Sequence, residues 1–152
     1  MKRRIILDAP IEELFNALIS PTIENYKKVK HKDPTEEQLR YGLTYQVEVP
    51  NSKPKRYATV KVLKYDKPHQ FSMEYKSSAY HKIDSLWLNK MDNGKTEVIT
   101  EHKEESIKNG KVVSSRGQDD SDVIKPVSLF ERGKYMRLAY AIKKGVFNIS
   151  ND

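Results

Sequence analysis

The fold is decided by residues 7–20, LDAPIEELFNALIS, where a segment that begins like a strand continues as a helix. Pro10 suits the first turn of a helix, because it has no N–H group to leave unsatisfied and its φ angle is already close to helical. The apolar residues behind it recur at helical spacing, at Ile11, Leu14, Phe15 and Leu18. Asp8 is available as a capping acceptor. We therefore predict a strand over residues 2–8, a sharp corner and a helix.

A second proline, in Ser20-Pro21, is expected to end this first helix, since proline interrupts the hydrogen-bond ladder of a helix interior. Further apolar residues at helical spacing follow it, at Ile23, Tyr26 and Val29. They predict a second short helix before the chain changes character.

From residue 42 onwards the hydrophobic period changes to two, which is typical of half-buried strands. The strand-like runs cover residues 43–49, 56–65, 71–76, 80–91 and 95–107. Asn109-Gly110 indicates another tight turn, with a short strand over residues 111–115 and a polar loop over 114–122.

The hairpin around Asn93-Gly94 can be given a register, because this dipeptide favours a two-residue turn. Such a turn makes oppositely charged residues face each other, namely Lys90 and Glu97, Asp84 and Lys103, and Lys82 and Glu105. These charges would lie on an exposed face. The inner face would then carry Ile83, Ser85, Trp87, Asn89 and Met91 opposite Glu104, His102, Thr100, Val98 and Thr96, which is typical of a cavity wall.

A long helix is predicted from about Pro126 to Phe147, its start set either by Pro126 or by the box Ser128-x-x-Glu131. One apolar stripe comprises Leu129, Met136, Tyr140 and Phe147; another comprises Tyr135, Leu138, Ile142 and Val146. Packing on two sides would account for both stripes. Alternatively, one stripe roofs a cavity or forms a homodimer contact.

Length, composition and net charge limit the classes of protein to which this chain can belong. The chain of 152 residues fits one domain over 1–152, and its lack of cysteine excludes disulfides and fits a cytoplasmic location. No apolar run approaches the roughly 20 residues of a membrane-spanning helix. The net charge of +7 attracts anionic partners, but acidic residues interrupt most basic stretches. This pattern favours a solvated surface over nucleic-acid binding.

The order of elements resembles the helix-grip fold of the START-like, or SRPBCC, superfamily, which includes the birch-pollen-allergen-like proteins. Residues 7–20 look like that family's first strand, Ala-Pro corner and first helix. Residues 62–75, VLKYDKPHQFSMEY, and 86–102, LWLNKMDNGKTEVITEH, are similar to its later strands and turns. The closest resemblance is to small bacterial members.

The resemblance implies an α+β helix-grip domain, in which a curved antiparallel sheet of six or seven strands wraps around a long C-terminal helix. Two short helices after strand 1 would plug one end of the sheet. It also implies a ligand cavity between the sheet and the last helix, although shorter segments than in the plant members make a filled interior the alternative.

Few residues indicate catalysis. The four histidines form no metal-ligand spacing, and the chain has no phosphate-binding loop, so we expect neither a metal nor a cofactor. His102 is the one candidate for acid–base work, because the predicted register places it opposite Ser85 and beside Glu104. A flat sheet supplies no oxyanion hole, which favours a role for His102 as a polar wall residue.

The sequence therefore predicts binding or carriage of a small hydrophobic or amphipathic ligand between sheet and helix. Tyrosine suits such a ligand, since it combines an apolar ring with one polar group. The alternatives are a cyclase- or hydrolase-like enzyme using the same cavity, and binding of nucleic acid or a ribosome-like surface. The predicted ligand-binding residues are Tyr45, Phe71, Met73, Tyr75, Ser85, Trp87, Thr100, His102, Phe130 and Met136.

Overall fold

The computed structural model describes residues 1–117 and 123–145, which hold eight strands and three helices. In chain order they are β1 (Lys2–Leu7), α1 (Ile11–Lys30), α2 (Glu36–Arg40), β2 (Thr44–Glu48), β3 (Tyr57–Asp66), β4 (Gln70–Lys76), β5 (Tyr80–Lys90), β6 (Thr96–Lys108), β7 (Lys111–Arg116), β8 (Ile124–Pro126) and α3 (Leu129–Lys143). The strands form one curved, unclosed sheet in the order β2-β3-β4-β5-β6-β1-β8, with β7 paired to β6. This confirms the predicted fold class.

The short strand β8 was not predicted, and it is parallel to β1, whereas all other pairs are antiparallel. Part of the predicted polar loop, residues 118–122, lies outside the described residues, as do Val146 and Phe147 of the predicted helix.

The corner after β1 forms as predicted, but its cap does not. Pro10 is the N-cap of α1, and its carbonyl accepts the first helical hydrogen bond, from the backbone N–H of Leu14 at 3.0 Å. No side chain caps this helix. Asp8 instead pairs with Lys143 at 2.5 Å, which ties the corner to the last turn of α3. The prediction that Asp8 caps α1 was therefore wrong.

The predicted break at Pro21 was also wrong, because α1 runs through this proline for 20 residues. The carbonyl of Ala17 would normally accept a bond from the backbone N–H of residue 21, which proline lacks. The hydroxyl of Ser20 donates to that carbonyl at 2.8 Å and replaces the missing bond. The second helix starts later, at a capping box formed by Thr35 and Gln38.

The register of the β5–β6 hairpin differs from the prediction by one residue. Lys90 pairs with Thr96, Leu88 with Val98 and Asp84 with His102. The predicted pairs of Lys90 with Glu97, Asp84 with Lys103 and Lys82 with Glu105 are not the directly opposed ones. A one-residue shift turns a strand over, because successive side chains point to opposite faces. It is β5 that was assigned to the wrong face.

We call the face of the sheet that carries Phe71, Leu88 and Val98 the inner face, and the opposite one the outer face. The main core lies between the inner face and helices α1 and α3. Leu7, Leu14, Phe15, Leu88 and Val98 are completely buried there. A second, smaller cluster surrounds Tyr26, Tyr45 and Val60.

Helix α3 contacts the core with one of its two stripes. Tyr135, Leu138 and Ile142 pack against the core, whereas Met136 and Tyr140 are exposed. Within the described residues, packing on two sides is therefore not observed. Of the two predicted starts, the second is the one seen: the Ser128 hydroxyl caps the helix by accepting from the backbone N–H of Glu131 at 3.2 Å. Pro126 belongs to β8 instead.

None of the three described helices has both the length and the apolar composition that crossing a membrane would require.

Candidate functional site

A cavity of about 300 Å³ lies between the inner face of β4–β6 and the helices α1 and α3. Its lining is apolar on one part and polar on another. The apolar residues are Leu18, Phe71, Met73, Leu86 and Tyr135; the polar ones are Thr22, Asp84, Ser85, Thr100, Glu101, His102 and Glu131. The strands supply the floor, α3 supplies Glu131 and Tyr135 from above, and α1 closes one side. The cavity therefore combines apolar walls with a group of polar side chains.

The polar end is organised around His102, whose ring lies between two carboxylates. Nδ1 is 2.5 Å from Oδ1 of Asp84, and Nε2 is 2.7 Å from Oε2 of Glu104. The same Glu104 oxygen accepts a hydrogen bond of 2.5 Å from the hydroxyl of Tyr80. These residues come from the paired strands β5 and β6, where Asp84 is directly opposite His102.

This arrangement favours a charged His102. Partial burial alone would lower the pKa of His102, but the hydrogen bonds to Asp84 and Glu104 outweigh it and raise the pKa above its usual 6.5. The bonds from Tyr80 and His102 lower the pKa of Glu104. The bond to Glu104 raises the pKa of Tyr80 to about 12. An imidazolium that donates from both nitrogens has no lone pair left to accept a proton.

The apolar end is fixed by contacts between helix and sheet. The Thr22 hydroxyl of α1 donates to the sulfur of Met73 at 3.2 Å. Burial raises the pKa of Tyr135, the nearby charge of Glu131 raises it further, and a hydrogen bond with Thr100 opposes both effects. That bond joins α3 to the floor of the cavity. Phe71 is 3% exposed and forms part of the core beneath.

The structure brings half of the predicted ligand-binding residues together. Phe71, Met73, Ser85, Thr100 and His102 line the cavity. Ser85 does so at the edge of the site, because alternation along β5 directs its side chain to the outer face. Its hydroxyl accepts a hydrogen bond of 2.8 Å from Ser72 there. The predicted grouping of Ser85, His102 and Glu104 is therefore not formed, and Asp84 takes the place of Ser85.

Trp87 lies on the outer face and not in the cavity, because the hairpin register is shifted by one residue. The Nζ atom of Lys2 is 4.8 Å from the centre of its ring. The same shift places Ile83 and Asn89 on the outer face, and it places Met91 beyond the end of β5, in the turn.

The two predicted tyrosines lie away from the cavity. Tyr45 is buried in the second cluster, where its ring packs edge-on against Tyr26 with centroids 5.2 Å apart. Burial raises the pKa of Tyr45 to about 12. Tyr75 packs against the same cluster and contacts Tyr80 and Lys82. Tyr45 therefore fills the interior near β2, and Tyr75 packs beside the start of β5 without lining the cavity.

The two predicted helix residues are on the exposed side of α3. Phe130 is 73% exposed and Met136 is 48% exposed. The helix contributes Tyr135 and Glu131 to the cavity instead. These two residues are not among the predicted ligand-binding residues, and neither are Leu18, Thr22, Asp84, Leu86 and Glu101. Leu86 and Leu88 are two residues apart and therefore share one face of β5, and this spacing was the signal in the sequence for the inner face.

No group of three or more histidine, aspartate or glutamate side chains suited to a metal ion occurs in residues 1–117 and 123–145.

The fold and the cavity define an α+β helix-grip protein with an open site between its sheet and its C-terminal helix. The chain belongs to the DUF3284 family, described as a domain of unknown function, whose model matches residues 1–116. This match covers the sheet up to β7 and ends before α3. No curated protein sequence matches the chain.

Three crystal structures resemble the fold. CalU16 from Micromonospora echinospora is 14% identical, with a TM-score of 0.39 over 97% of this chain and 74% of that one. DR_A0006 from Deinococcus radiodurans is 9% identical, with a TM-score of 0.42 over 70% and 81% of the two chains. CV1439 from Chromobacterium violaceum is 13% identical, with a TM-score of 0.38 over 73% and 81%. With TM-scores below 0.5, these likenesses carry no weight for function.

Proposed function

We propose that this protein binds a small hydrophobic or amphipathic molecule in the cavity between the inner face and α3. The observation that carries the proposal is the cavity itself, whose floor combines Phe71, Met73 and Leu86 with the polar group of Asp84 and His102. Ligand sites typically combine apolar walls with a few convergent polar groups. The volume of about 300 Å³ is at the lower end of the usual range, so the ligand is small.

The helix-grip architecture supports placing the protein in the START-like superfamily, which the Ala-Pro corner and the β3–β4 turn also resemble. This support is an analogy of fold, and it is weaker than the site geometry. We infer in addition that the protein works in the cytoplasm, since a chain without cysteine suits a reducing compartment, and that it is bacterial, since its sequence resembles small bacterial members of that superfamily.

Binding has more support than catalysis in the same cavity. Both ring nitrogens of His102 are directed at carboxylates, and Ser85 presents its hydroxyl to the outer face. A nucleophile activated by histidine needs that hydroxyl and a free histidine lone pair next to each other.

Native mass spectrometry of the purified protein, beside a denatured control, tests for a carried ligand. We expect an additional discrete mass that disappears on denaturation. The neutral dye N-phenyl-1-naphthylamine provides a second measurement, because its fluorescence rises in an apolar site.

A substitution that fills the cavity makes the dye experiment specific. Thr100→Phe places a ring where the cavity floor meets Tyr135, and we expect it to abolish dye binding. The matched control is Thr44→Phe, because Thr44 is exposed on the edge strand β2. Equal dye binding by both variants, together with an unliganded native mass, would remove the proposal. Thermal unfolding of each variant verifies that it is folded.

A further inference from the structure

We propose that the ligand is a cationic amphiphile, an organic ammonium with a short apolar tail, held with its head at the acidic end of the cavity. This inference rests on the proposed function and adds the charge of the ligand. It is carried by the charges that line the cavity and by the aromatic ring beside them.

The lining is acidic in a basic protein. Asp84 and Glu131 supply two carboxylates, and no lysine or arginine occurs among the described residues that line the space. Glu101 also borders the space, but it is directly opposite Ser85 and its carboxylate lies on the outer face. The whole chain has 28 basic and 21 acidic residues, so a lining with the average composition of the chain would contain lysine or arginine as well. The acidic lining is thus a local feature of this site.

The existing partners neutralise only part of this charge. His102 lies between the negative charges of Asp84 and Glu104, and Arg116, directly opposite Glu104 on β7, adds a positive charge beside that carboxylate. Glu101 is 3.8 Å from the Nζ atom of Lys103. Glu131 forms no ion pair within the described part of the chain. The negative charge at the polar end of the cavity that no basic residue balances is therefore that of Glu131.

The walls suit a cation in the same place. Tyr135 borders the cavity close enough to Glu131 for the charge of that carboxylate to act on it, and aromatic faces attract ammonium groups, most strongly where water is partly excluded. An anionic head at this end would lose hydration and face carboxylates, because His102 already directs both ring nitrogens at Asp84 and Glu104. A neutral head would gain only hydrogen bonds.

Three ligands with one tail separate these cases: octyltrimethylammonium, octanol and octanoate. Calorimetric titration of the full chain with each ligand gives the three affinities. We expect octyltrimethylammonium to bind at least tenfold more tightly than octanoate, with octanol between them. The difference should decrease as salt is added, because the field at a partly exposed site is screened.

Glu131→Gln tests the origin of the preference. Glu131 is the third residue of α3, and the variant should reduce the ratio of ammonium to octanoate affinity severalfold while leaving octanol binding unchanged. Glu13→Gln is the matched control, because Glu13 is the exposed third residue of α1 and should leave all three affinities unchanged.

The outcomes distinguish the two proposals. Equal affinities, or tighter binding of octanoate, would overturn the cationic ligand and leave binding in the cavity intact. No heat of binding from any of the three, with dye fluorescence that Thr100→Phe does not change, would overturn both.

Discussion

The hydroxyl of Thr96, a completely buried residue at the start of β6, donates a hydrogen bond of 2.8 Å to the carbonyl oxygen of Ala9, 87 residues earlier in the chain. Ala9 lies at the corner between β1 and α1, where the next residue, Pro10, is already the N-cap. The turn toward the helix prevents the Ala9 carbonyl from continuing the sheet. The Thr96 side chain satisfies it and so joins the hairpin to the corner that directs α1 across the sheet.

Thr96→Val should destabilise the protein by about 1–3 kcal/mol, because it keeps the shape of the side chain but leaves the buried Ala9 carbonyl without a partner. Chemical denaturation measures the change in the free energy of unfolding. Thr44→Val is the control, since the Thr44 hydroxyl bonds to the Gly42 carbonyl at an exposed position. Its cost should stay within about 0.5 kcal/mol. Equal costs for the two variants would show that the Thr96 bond adds nothing.

The corner was predictable because its signals are local: a proline, helical spacing and a change of period. The register of the β5–β6 hairpin was predicted incorrectly, although the position of its turn was recognised. The β6–β7 hairpin shows the turn that was expected for both. Asn109 and Gly110 both have positive φ and form the two-residue turn that the dipeptide favours. Asn93-Gly94 instead ends a three-residue loop, in which only Gly94 has positive φ and the backbone N–H of Met91 bonds to the carbonyl of Lys95 at 2.9 Å.

The error in the register arose because the prediction gave more weight to surface charge pairs than to the burial of apolar side chains. Three surface charge pairs supported the predicted register, and each contributes a few tenths of a kcal/mol to about 1 kcal/mol. Burying a leucine contributes about 1.5–3 kcal/mol. The observed register buries Leu88 completely and packs Leu86 on the core, so burial prevails over the charge pairs.

The cavity could be predicted only in part for the same reason. Positions on β4 and β6 were correctly oriented, which gave Phe71, Met73, Thr100 and His102. On α3 the two apolar stripes are equally convincing in the sequence, and only packing against the core selects that of Tyr135 over that of Met136. Asp84 was missed because the register placed it on the exposed face.

Gly117 provides a test of the backbone next to the site. A Cβ atom at this position would lie 2.0 Å from the carbonyl oxygen of His102, and its φ of +73° is strained for any other residue. Gly94 has a similar φ of +79° but no atom within 4 Å of such a Cβ.

Gly94→Ala should therefore cost about 1–2 kcal/mol from the backbone conformation alone. Gly117→Ala should cost about 1–3 kcal/mol more, because β6 or the end of β7 must move. Thermal and chemical unfolding compare the two variants directly. If they lose the same stability, Gly117 does not approach His102 as closely as the structure places it.

The Ser20 hydroxyl replaces the hydrogen bond that α1 loses at Pro21, so substitutions at Ser20 and Pro21 should have non-additive effects on stability. Ser20→Ala should cost about 0.5–1.5 kcal/mol, because the Ala17 carbonyl loses its donor. In a Pro21→Ala background the restored backbone N–H supplies that donor, so Ser20→Ala should have almost no effect. A double-mutant cycle measured by denaturation gives the coupling, which we expect to be about 1 kcal/mol. Additive effects would mean that the Ser20 hydroxyl does not replace the missing bond.

The group around His102 predicts a stability that depends on pH. Its folded pKa is raised above the usual 6.5, so the charged ring stabilises the folded state fully below the unfolded pKa, and this contribution disappears as pH rises through the folded pKa. The charges that act on His102 are those of Asp84 and Glu104.

His102→Gln should therefore reduce stability more at about pH 6 than at about pH 9, because the wild-type ring loses its stabilising charge as the pH rises. Denaturation at the two pH values measures this difference. An NMR titration identifies the histidine signal that is absent from the variant, and its midpoint should lie above 6.5. A midpoint below that value, or a loss of stability that is the same at both pH values, would contradict the two charged hydrogen bonds to Asp84 and Glu104.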